Sequence, residues 1–300
     1  MKFRTFRQDE RGNVILIAAF LMLVLTAFAG LVVDGGHLYM TKAHLQKAAN
    51  AAALSGGQEL TTNAGLEVNT IVDEILEAHD VLPFLESISV TPEKDVTVQL
   101  NESVPLFFSS IVGFDDVDVS VKAKVEVGVM GRASGAAPIG IDDSIPLIYG
   151  NEYTLKVDET ASDTGYFGAL ALEGPGAKLY EQNLMYGFDG ELKIGDIVNT
   201  QTGNIAGPTK TAVDYLISTC SDMTARDCPR ILLIPVYVPY NVQSNQMKQV
   251  KITGFAYFYI SEAMDSHDKT IKGIFLKRVG TGFQLEDAAN KGAYTIRLVE

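Results

Sequence analysis

The sequence contains few of the residues that usually carry out catalysis. Only four histidines occur in 300 residues. His37 and His44 are seven positions apart on one predicted helix, with no cysteine or acid to complete a zinc shell. There is no Gly-x-Ser-x-Gly elbow, no phosphate-binding loop that ends in Lys-Ser/Thr, and no Asp-x-Asp-x-Asp-Gly calcium loop. We therefore predict no cofactor, no metal site and no enzymatic activity.

Cysteine is equally scarce, with two residues in the whole chain. Cys220 and Cys228 enclose seven residues, and cysteines this close usually form a disulfide in an oxidising compartment. Spacing does not fix the Cα separation that the bond requires, so two free thiols are the alternative. A cysteine transpeptidase fits poorly, because no histidine occurs between His79 and His267 to activate Cys220.

Acidic residues outnumber basic ones over most of the chain. Lys and Arg number 24 against 37 Asp and Glu, which gives a formal net charge of −13. A strongly acidic protein repels phosphate backbones, so we predict no nucleic-acid partner. The N-terminus differs from the rest, because Lys2, Arg4, Arg7 and Arg11 all precede a long apolar run.

That run, residues 14–33, contains no charged residue. As a helix, these residues span roughly 30 Å, the thickness of the hydrocarbon core of a bilayer. Because basic residues precede the run, we predict a single-pass anchor in the cell membrane, with the N-terminus in the cytoplasm and the bulk of the chain outside. Cleavage of a secretory signal after Ala29 is the alternative, although the apolar run continues to Val33.

Periodicity divides the rest of the chain. Residues 37–54 predict an alanine-rich helix that ends at Gly56-Gly57, the apolar run 104–112 predicts a short helix, and alternating valines predict a strand over 117–129. We predict an α+β fold in five segments. A basic cytoplasmic segment (1–13) precedes a transmembrane anchor (14–33), and an amphipathic helix continues the anchor into a small α+β module (34–130). A linker (131–137) then leads to a β-rich domain with a mixed antiparallel sheet or small barrel (138–300).

Residues on both sides of the apolar run form an ordered pattern of landmarks. They are Arg11, Gly12, Gly30, Asp34, Gly36, Tyr39, Leu45 and Gln46. Together with the alanine-rich helix that follows, the pattern resembles the TadG-like N-terminal region of Tad/Flp pilus assembly proteins. The resemblance implies that residues 34–130 form a pilin-like module. It also implies other Tad-like pilus or envelope proteins as partners, contacted through the N-terminal helices, in addition to the lipid bilayer that the apolar run predicts.

One strand of the second half suggests a ligand face. Phe255, Tyr257 and Tyr259 lie on the same side of the strand predicted over 250–260. If the opposite side is core, this aromatic stripe is exposed and could bind a sugar ring or a partner strand. The alternative is a stripe packed beneath another layer of the domain.

Three functional hypotheses follow. The first, which rests on the resemblance, is a non-enzymatic, membrane-anchored component of a Tad/Flp-type pilus assembly or adhesion system. The second is a secreted or surface-displayed module that binds a glycan or peptide. The third is an envelope enzyme of a type that no motif reveals. Retention in the membrane separates the first hypothesis from the second.

Overall fold

The helices of the protein are concentrated at its N-terminus and around its second sheet. The structure is a computed structural model that describes residues 11–61, 65–113, 115–156, 167–201, 205–225, 227–243, 246–264 and 270–299. In these ranges the α-helices are α1 (Arg11–Gln58), α2 (Gly65–Ala78), α3 (Ala177–Tyr186) and α4 (Ala206–Thr219). Two short 3-10 helices cover Leu82–Phe84 and Ser109–Val112.

The N-terminal helix α1 is continuous over 48 residues. The sequence predicted a transmembrane helix over 14–33 that is continued by an amphipathic helix over 37–54, and α1 runs through both segments without a break. Gly35 and Gly36 cost the helix about 1 kcal/mol each relative to alanine, which packing of its second half offsets. Apolar side chains of residues 14–33 are largely exposed. Within the described ranges, α1 is the one helix long and apolar enough to cross a membrane.

The strands form two curled sheets of mixed direction, each resembling half of a barrel. In chain order the strands are β1 (Leu85–Thr91), β2 (Asp95–Pro105), β3 (Asp116–Ala133), β4 (Ile139–Asp142), β5 (Glu152–Lys156), β6 (Phe167–Ala169), β7 (Leu192–Lys193), β8 (Ile197–Asn199), β9 (Ile231–Gln243), β10 (Gln246–Ile260), β11 (Thr270–Leu276), β12 (Arg278–Val279), β13 (Phe283–Gln284) and β14 (Ala293–Leu298).

The strand order places β14, near the C-terminus, in the first sheet beside β3. The first sheet has the order β1-β2-β3-β14-β12, with β7 and β13 also paired to β3. The second has the order β5-β11-β10-β9-β4-β6, with β8 paired to β10. The predicted α+β class is confirmed, with two half-barrels where the sequence predicted strands in a small α+β module and a mixed sheet or small barrel in residues 138–300.

The second half of α1 and helix α2 pack together on the first sheet. Their shared core comprises Leu45, Ala48, Ala49, Ala52 and Ala53 of α1, Val68, Val72 and Leu76 of α2, and Val96, Val98, Leu100, Val121, Ala123 and Val125 of β2 and β3. Small side chains bring α1 close to the strands. A Cβ at Gly57 would lie 2.7 Å from Cγ1 of Val125. Gly56-Gly57 is therefore a packing contact in the last turn of α1, which ends one residue later, at Gln58, close to the predicted end.

Residues 131–137, predicted as a linker, lie where the two sheets meet. Strand β3 continues to Ala133, and Ala136 forms bridges to Phe188 and Leu233. Both alanines are buried, and a Cβ at Gly131 would clash with Leu285. Small residues are required here because backbones approach closely, and composition alone does not distinguish this role from a flexible linker.

Candidate functional site

The end of the apolar run on α1 contacts the loop between β2 and β3. This β2–β3 loop, residues 106–113, carries the 3-10 helix Ser109–Val112. Its residues 107–109 contact α1 between Gly30 and His37. The candidate membrane span is therefore joined to the folded region by direct contact as well as by the chain.

Asp34 binds the backbone of this loop. Asp34 is 3% exposed. Its carboxylate accepts hydrogen bonds from the amides of Phe107 (2.9 Å), Phe108 (3.1 Å) and Ser109 (2.7 Å), and from the Ser109 hydroxyl (2.7 Å). Burial raises the pKa of Asp34, but these hydrogen bonds outweigh burial and lower the pKa to about 2. Ionised Asp34 thus caps a 3-10 helix whose own N-cap residue, Phe108, makes no side-chain cap.

Gly30 gives the loop room to approach α1. It is buried and lies one turn before Asp34, on the same face of the helix. A Cβ at this position would lie 2.5 Å from Cβ of Phe108 and 2.7 Å from its Cγ. Glycine therefore lets Phe108 lie against the backbone of α1. One turn beyond Asp34, the His37 ring is tilted against Phe107, with ring centroids 5.5 Å apart.

Two later landmarks hold α1 on the first sheet. Leu45 is fully buried in the core between helix and strands. Nε2 of Gln46 donates to the backbone carbonyl of Lys122 on β3 (2.9 Å) and to Oδ1 of Asn50 (2.9 Å). These contacts fix the rotation of α1 relative to β3.

The remaining landmarks lie away from these contacts. A Cβ at Gly36 would have no neighbour within 4 Å, and Tyr39 is 75% exposed. Both therefore lie on the outer surface of α1. Arg11 and Gly12 begin α1, and their side chains fall outside the described part of the structure.

Comparison with known proteins assigns this region to a family. A family model described as Tad, putative Flp pilus-assembly TadE/G-like, matches residues 12–59. We call residues 12–59, the segment that this family model matches, the Tad domain. The predicted resemblance is confirmed for residues 12–59, and the match ends before α2 and both sheets. No curated protein and no solved structure matches the chain.

Within the Tad domain, the described landmarks divide by role. Gly30 and Asp34 hold the β2–β3 loop, Leu45 and Gln46 hold the first sheet, and Gly36 and Tyr39 remain on the surface. One half of the domain's helix is therefore apolar and could span a membrane, and the other half is built into the folded region. A disulfide in that region suggests that it is extracytoplasmic.

Cys220 and Cys228 form the predicted disulfide, with their Cα atoms 5.5 Å apart. The bridge closes the loop between α4 and β9. Arg230 donates from Nη1 to the carbonyl of Cys220 (3.0 Å) and from Nη2 to the carbonyl of Ile260 on β10 (2.7 Å). Within the loop, hydrogen bonds from the hydroxyl and amide of Thr224 lower the pKa of Asp222. The two hydrogen bonds of Arg230 connect this loop to the second sheet.

Removal of this disulfide is expected to destabilise the folded region. In the Cys220→Ala/Cys228→Ala variant, the unfolded chain regains the entropy that a bridge of sequence separation 8 removes. We expect the free energy of unfolding to fall by roughly 2–3 kcal/mol. This free energy is measured by urea unfolding of the full chain in detergent, with circular dichroism as the signal. Reduced wild-type protein is the control and should match the variant; an unchanged midpoint in both would contradict the prediction.

The aromatic stripe predicted as a possible ligand face is buried. Phe255, Tyr257 and Tyr259 are all less than one-tenth exposed, so the stripe is packed beneath another layer, which was the alternative to an exposed ligand face. Phe255 and Tyr257 belong to a core shared with Met130 and Ala293 of the first sheet. The guanidinium of Arg230 covers Tyr259, 4.6 Å from its ring centroid. Helices α3 and α4 pack on the core of the opposite face, so both faces of β10 are covered.

An open groove lies beside the end of the Tad domain. It has a volume of about 570 Å³ and is lined by Thr61, residues 147–150 and residues 275–277. Burial raises the pKa of Tyr149 to about 12. Lys277 donates to Glu93 (2.6 Å), which raises the pKa of Lys277 and links the β1–β2 turn to the end of β11. In the described ranges, no group of three or more His, Cys, Asp and Glu could hold a metal ion.

No pattern in the sequence identified the residues of the β2–β3 loop that contact α1. Phe107, Phe108 and Ser109 fall in the run 104–112 that predicted a short helix, whereas β2 extends to Pro105 and a 3-10 helix covers Ser109–Val112. One signal was present. Asp34 is the only acid in α1, and an acid directly after an apolar run needs donors to stabilise it.

Proposed function

We propose that the protein is a non-enzymatic, single-pass membrane component of a Tad/Flp-type system that assembles or anchors pili. Residues 14–33 cross the membrane, the N-terminus is cytoplasmic, and residues 34–300 lie outside. The observation that carries this proposal is the Tad domain at residues 12–59. Its continuous helix supports the assignment, because one half is apolar and exposed and the other half is core.

The stiffness of the junction suits an assembly component. Because α1 runs without a break from the apolar run into the core, a helix that shifts or rotates in the membrane moves the folded region with it. Exposed Gly36 and Tyr39 continue the helix surface beyond the bilayer, and small residues allow helices to approach closely. We propose that other Tad-like pilus or envelope proteins contact α1 along this surface.

The second hypothesis, a secreted module that binds a glycan or peptide, has less support. Burial of Phe255, Tyr257 and Tyr259 removes the face that suggested it. The open groove at Tyr149 and Lys277 is the surface on which that hypothesis now depends.

Fractionation of the cells that make the protein tests the proposal. The full chain carries a C-terminal tag; sheared surface fibres, membranes and medium are blotted, and the mature N-terminus is sequenced. We expect a chain that retains residues 14–33 in the membrane fraction. A chain that starts near Gly30 and appears in the medium would contradict the anchor and favour the secreted module.

A second measurement tests the link to pili. Deletion of the gene is expected to reduce the number of surface fibres, and expression of the full chain in the deleted strain should restore it. Unchanged fibre numbers after deletion would contradict a role in pilus assembly while leaving the membrane anchor intact.

A further inference from the structure

Two phenylalanines of the β2–β3 loop are exposed beside the candidate membrane span. Phe107 is 61% and Phe108 is 45% exposed. We propose that this loop inserts both side chains into the outer face of the lipid bilayer next to α1, so that the folded region is seated on the membrane surface. The inference rests on the proposed function, because it requires residues 14–33 to cross the bilayer.

The positions at which Phe107 and Phe108 contact α1 determine how deep each ring lies in the bilayer. Phe108 contacts Gly30, three residues before the end of the apolar run at Val33. At 1.5 Å per residue, this contact lies roughly 4–5 Å inside the end of the run. Phe107 contacts His37, about 6 Å beyond the run by the same rise. The two rings therefore span the boundary between acyl chains and headgroups, where aromatic and apolar side chains bind membranes.

Amides of the loop backbone have hydrogen-bond acceptors within the protein, as a site with little water requires. Amides that enter a bilayer without partners are strongly unfavourable. Asp34 accepts from the amides of Phe107, Phe108 and Ser109. The amide of Leu106 donates to the carbonyl of Asp115 (2.9 Å), and the Ser110 hydroxyl donates to the carbonyl of Phe107 (2.9 Å). Apolar side chains face outward while these polar groups are satisfied within the protein.

The exposed rings continue an apolar surface. Leu31 and Val32 of α1 are as exposed as the rest of the run, and Phe108 lies against the same helix one residue earlier. The charges nearby are acidic, since Asp115, Asp116 and Asp118 follow the loop and are exposed. Insertion is therefore expected to depend on apolar burial, without a requirement for anionic lipid.

Tryptophan fluorescence tests the inference, because the chain contains no tryptophan. Phe107→Trp and Phe108→Trp each introduce one indole in the full chain, reconstituted at low protein-to-lipid ratio into phosphatidylcholine vesicles. Some acyl chains carry bromine, which quenches indole, at a shallow or a deep position. We expect both variants to lose most of their emission to shallow bromine, and Phe108→Trp to be quenched more by deep bromine than Phe107→Trp.

Two control variants separate failure of the inference from failure of the anchor. Phe283→Trp lies at an exposed site that pairs with Arg132, roughly 50 Å along β3 from the loop, and should not be quenched. Leu23→Trp lies within the apolar run and should be quenched by deep bromine. Quenching of Leu23→Trp without quenching of either loop variant overturns the inference and leaves the anchor standing.

The remaining outcomes are equally definite. Absence of quenching in Leu23→Trp overturns the anchor, and the inference fails with it. If the loop variants are quenched only after anionic lipid is added, insertion by apolar burial is wrong. If their emission shifts only at high protein-to-lipid ratio and bromine has no effect, another copy of the chain covers the loop and the lipid assignment is overturned.

Discussion

Gly30→Ala is expected to detach the β2–β3 loop from α1, although alanine is the better helix former. Helix propensity favours alanine by about 1 kcal/mol. The new Cβ, however, would lie 2.5 Å, 2.7 Å and 3.0 Å from Cβ, Cγ and Cδ1 of Phe108. Phe108 cannot simply move away, because its amide and both neighbouring amides are bound by Asp34. Overpacking of this kind typically costs about 1–3 kcal/mol.

The matched control lies five residues away on the same helix. Gly35→Ala makes the same chemical change at a position where a Cβ has no neighbour within 4 Å. Thermal unfolding of the full chain in detergent should therefore show a lower midpoint for Gly30→Ala and an equal or higher midpoint for Gly35→Ala. Chymotrypsin cleavage after Phe107 or Phe108 should accelerate in Gly30→Ala alone.

The Phe108→Gly background tests whether the contact with Phe108 causes the effect of Gly30→Ala. Phe108→Gly removes all three atoms that the new Cβ would meet, so Gly30→Ala should lose its penalty there. If Gly30→Ala melts at or above the wild type in the original background, the close contact does not constrain the helix and the role assigned to Gly30 is wrong.

Features with a local cause could be predicted from the sequence. The apolar run, the alternating valines of β3 and the spacing of Cys220 and Cys228 each depend on neighbouring residues, and the structure bears them out. The landmarks of the Tad domain were recognised for the same reason, because they follow one another along a single helix.

Features that depend on distant contacts could not be predicted. Asp34 binds residues 73 to 75 positions away, and no local pattern shows that pairing. Gly35 and Gly36 lower the helix propensity of α1, yet the helix is continuous through them because its second half packs on the first sheet. On β10, alternation identified the face that carries Phe255 and Tyr257, but the sheet that covers this face includes β14, the last strand of the chain.

Asp34→Asn is expected to release the loop, although the two side chains have nearly the same shape. Four donors point at the carboxylate: the amides of Phe107, Phe108 and Ser109 and the Ser109 hydroxyl. Asparagine replaces one oxygen with an NH₂ group, so that donors would face donors. A buried donor without an acceptor is more unfavourable than a missing hydrogen bond. We therefore expect Asp34→Asn to lower the thermal midpoint at least as much as Asp34→Ala.

The order of the thermal midpoints of Asp34→Asn and Asp34→Ala shows whether the charge of Asp34 or its volume holds the loop. If Asp34 acted only by filling space, Asp34→Asn would match the wild type and Asp34→Ala would be the damaging change. Asp118→Asn is the control, because it makes the same substitution on an exposed acid of β3. Loop cleavage by chymotrypsin should increase in both Asp34 variants and remain at the wild-type rate in Asp118→Asn.

Acid provides an independent test of the same contact. The folded pKa of Asp34, about 2, lies below the value of about 3.9 for a free aspartate. A group with a depressed folded pKa contributes stability that is complete above its unfolded pKa and is lost as the pH falls through its folded pKa. The difference in midpoint between wild type and Asp34→Asn should therefore be constant from about pH 7 to pH 5 and shrink below about pH 4. A difference that persists at the lowest pH would show that the ionised carboxylate is not what binds the loop to the membrane helix.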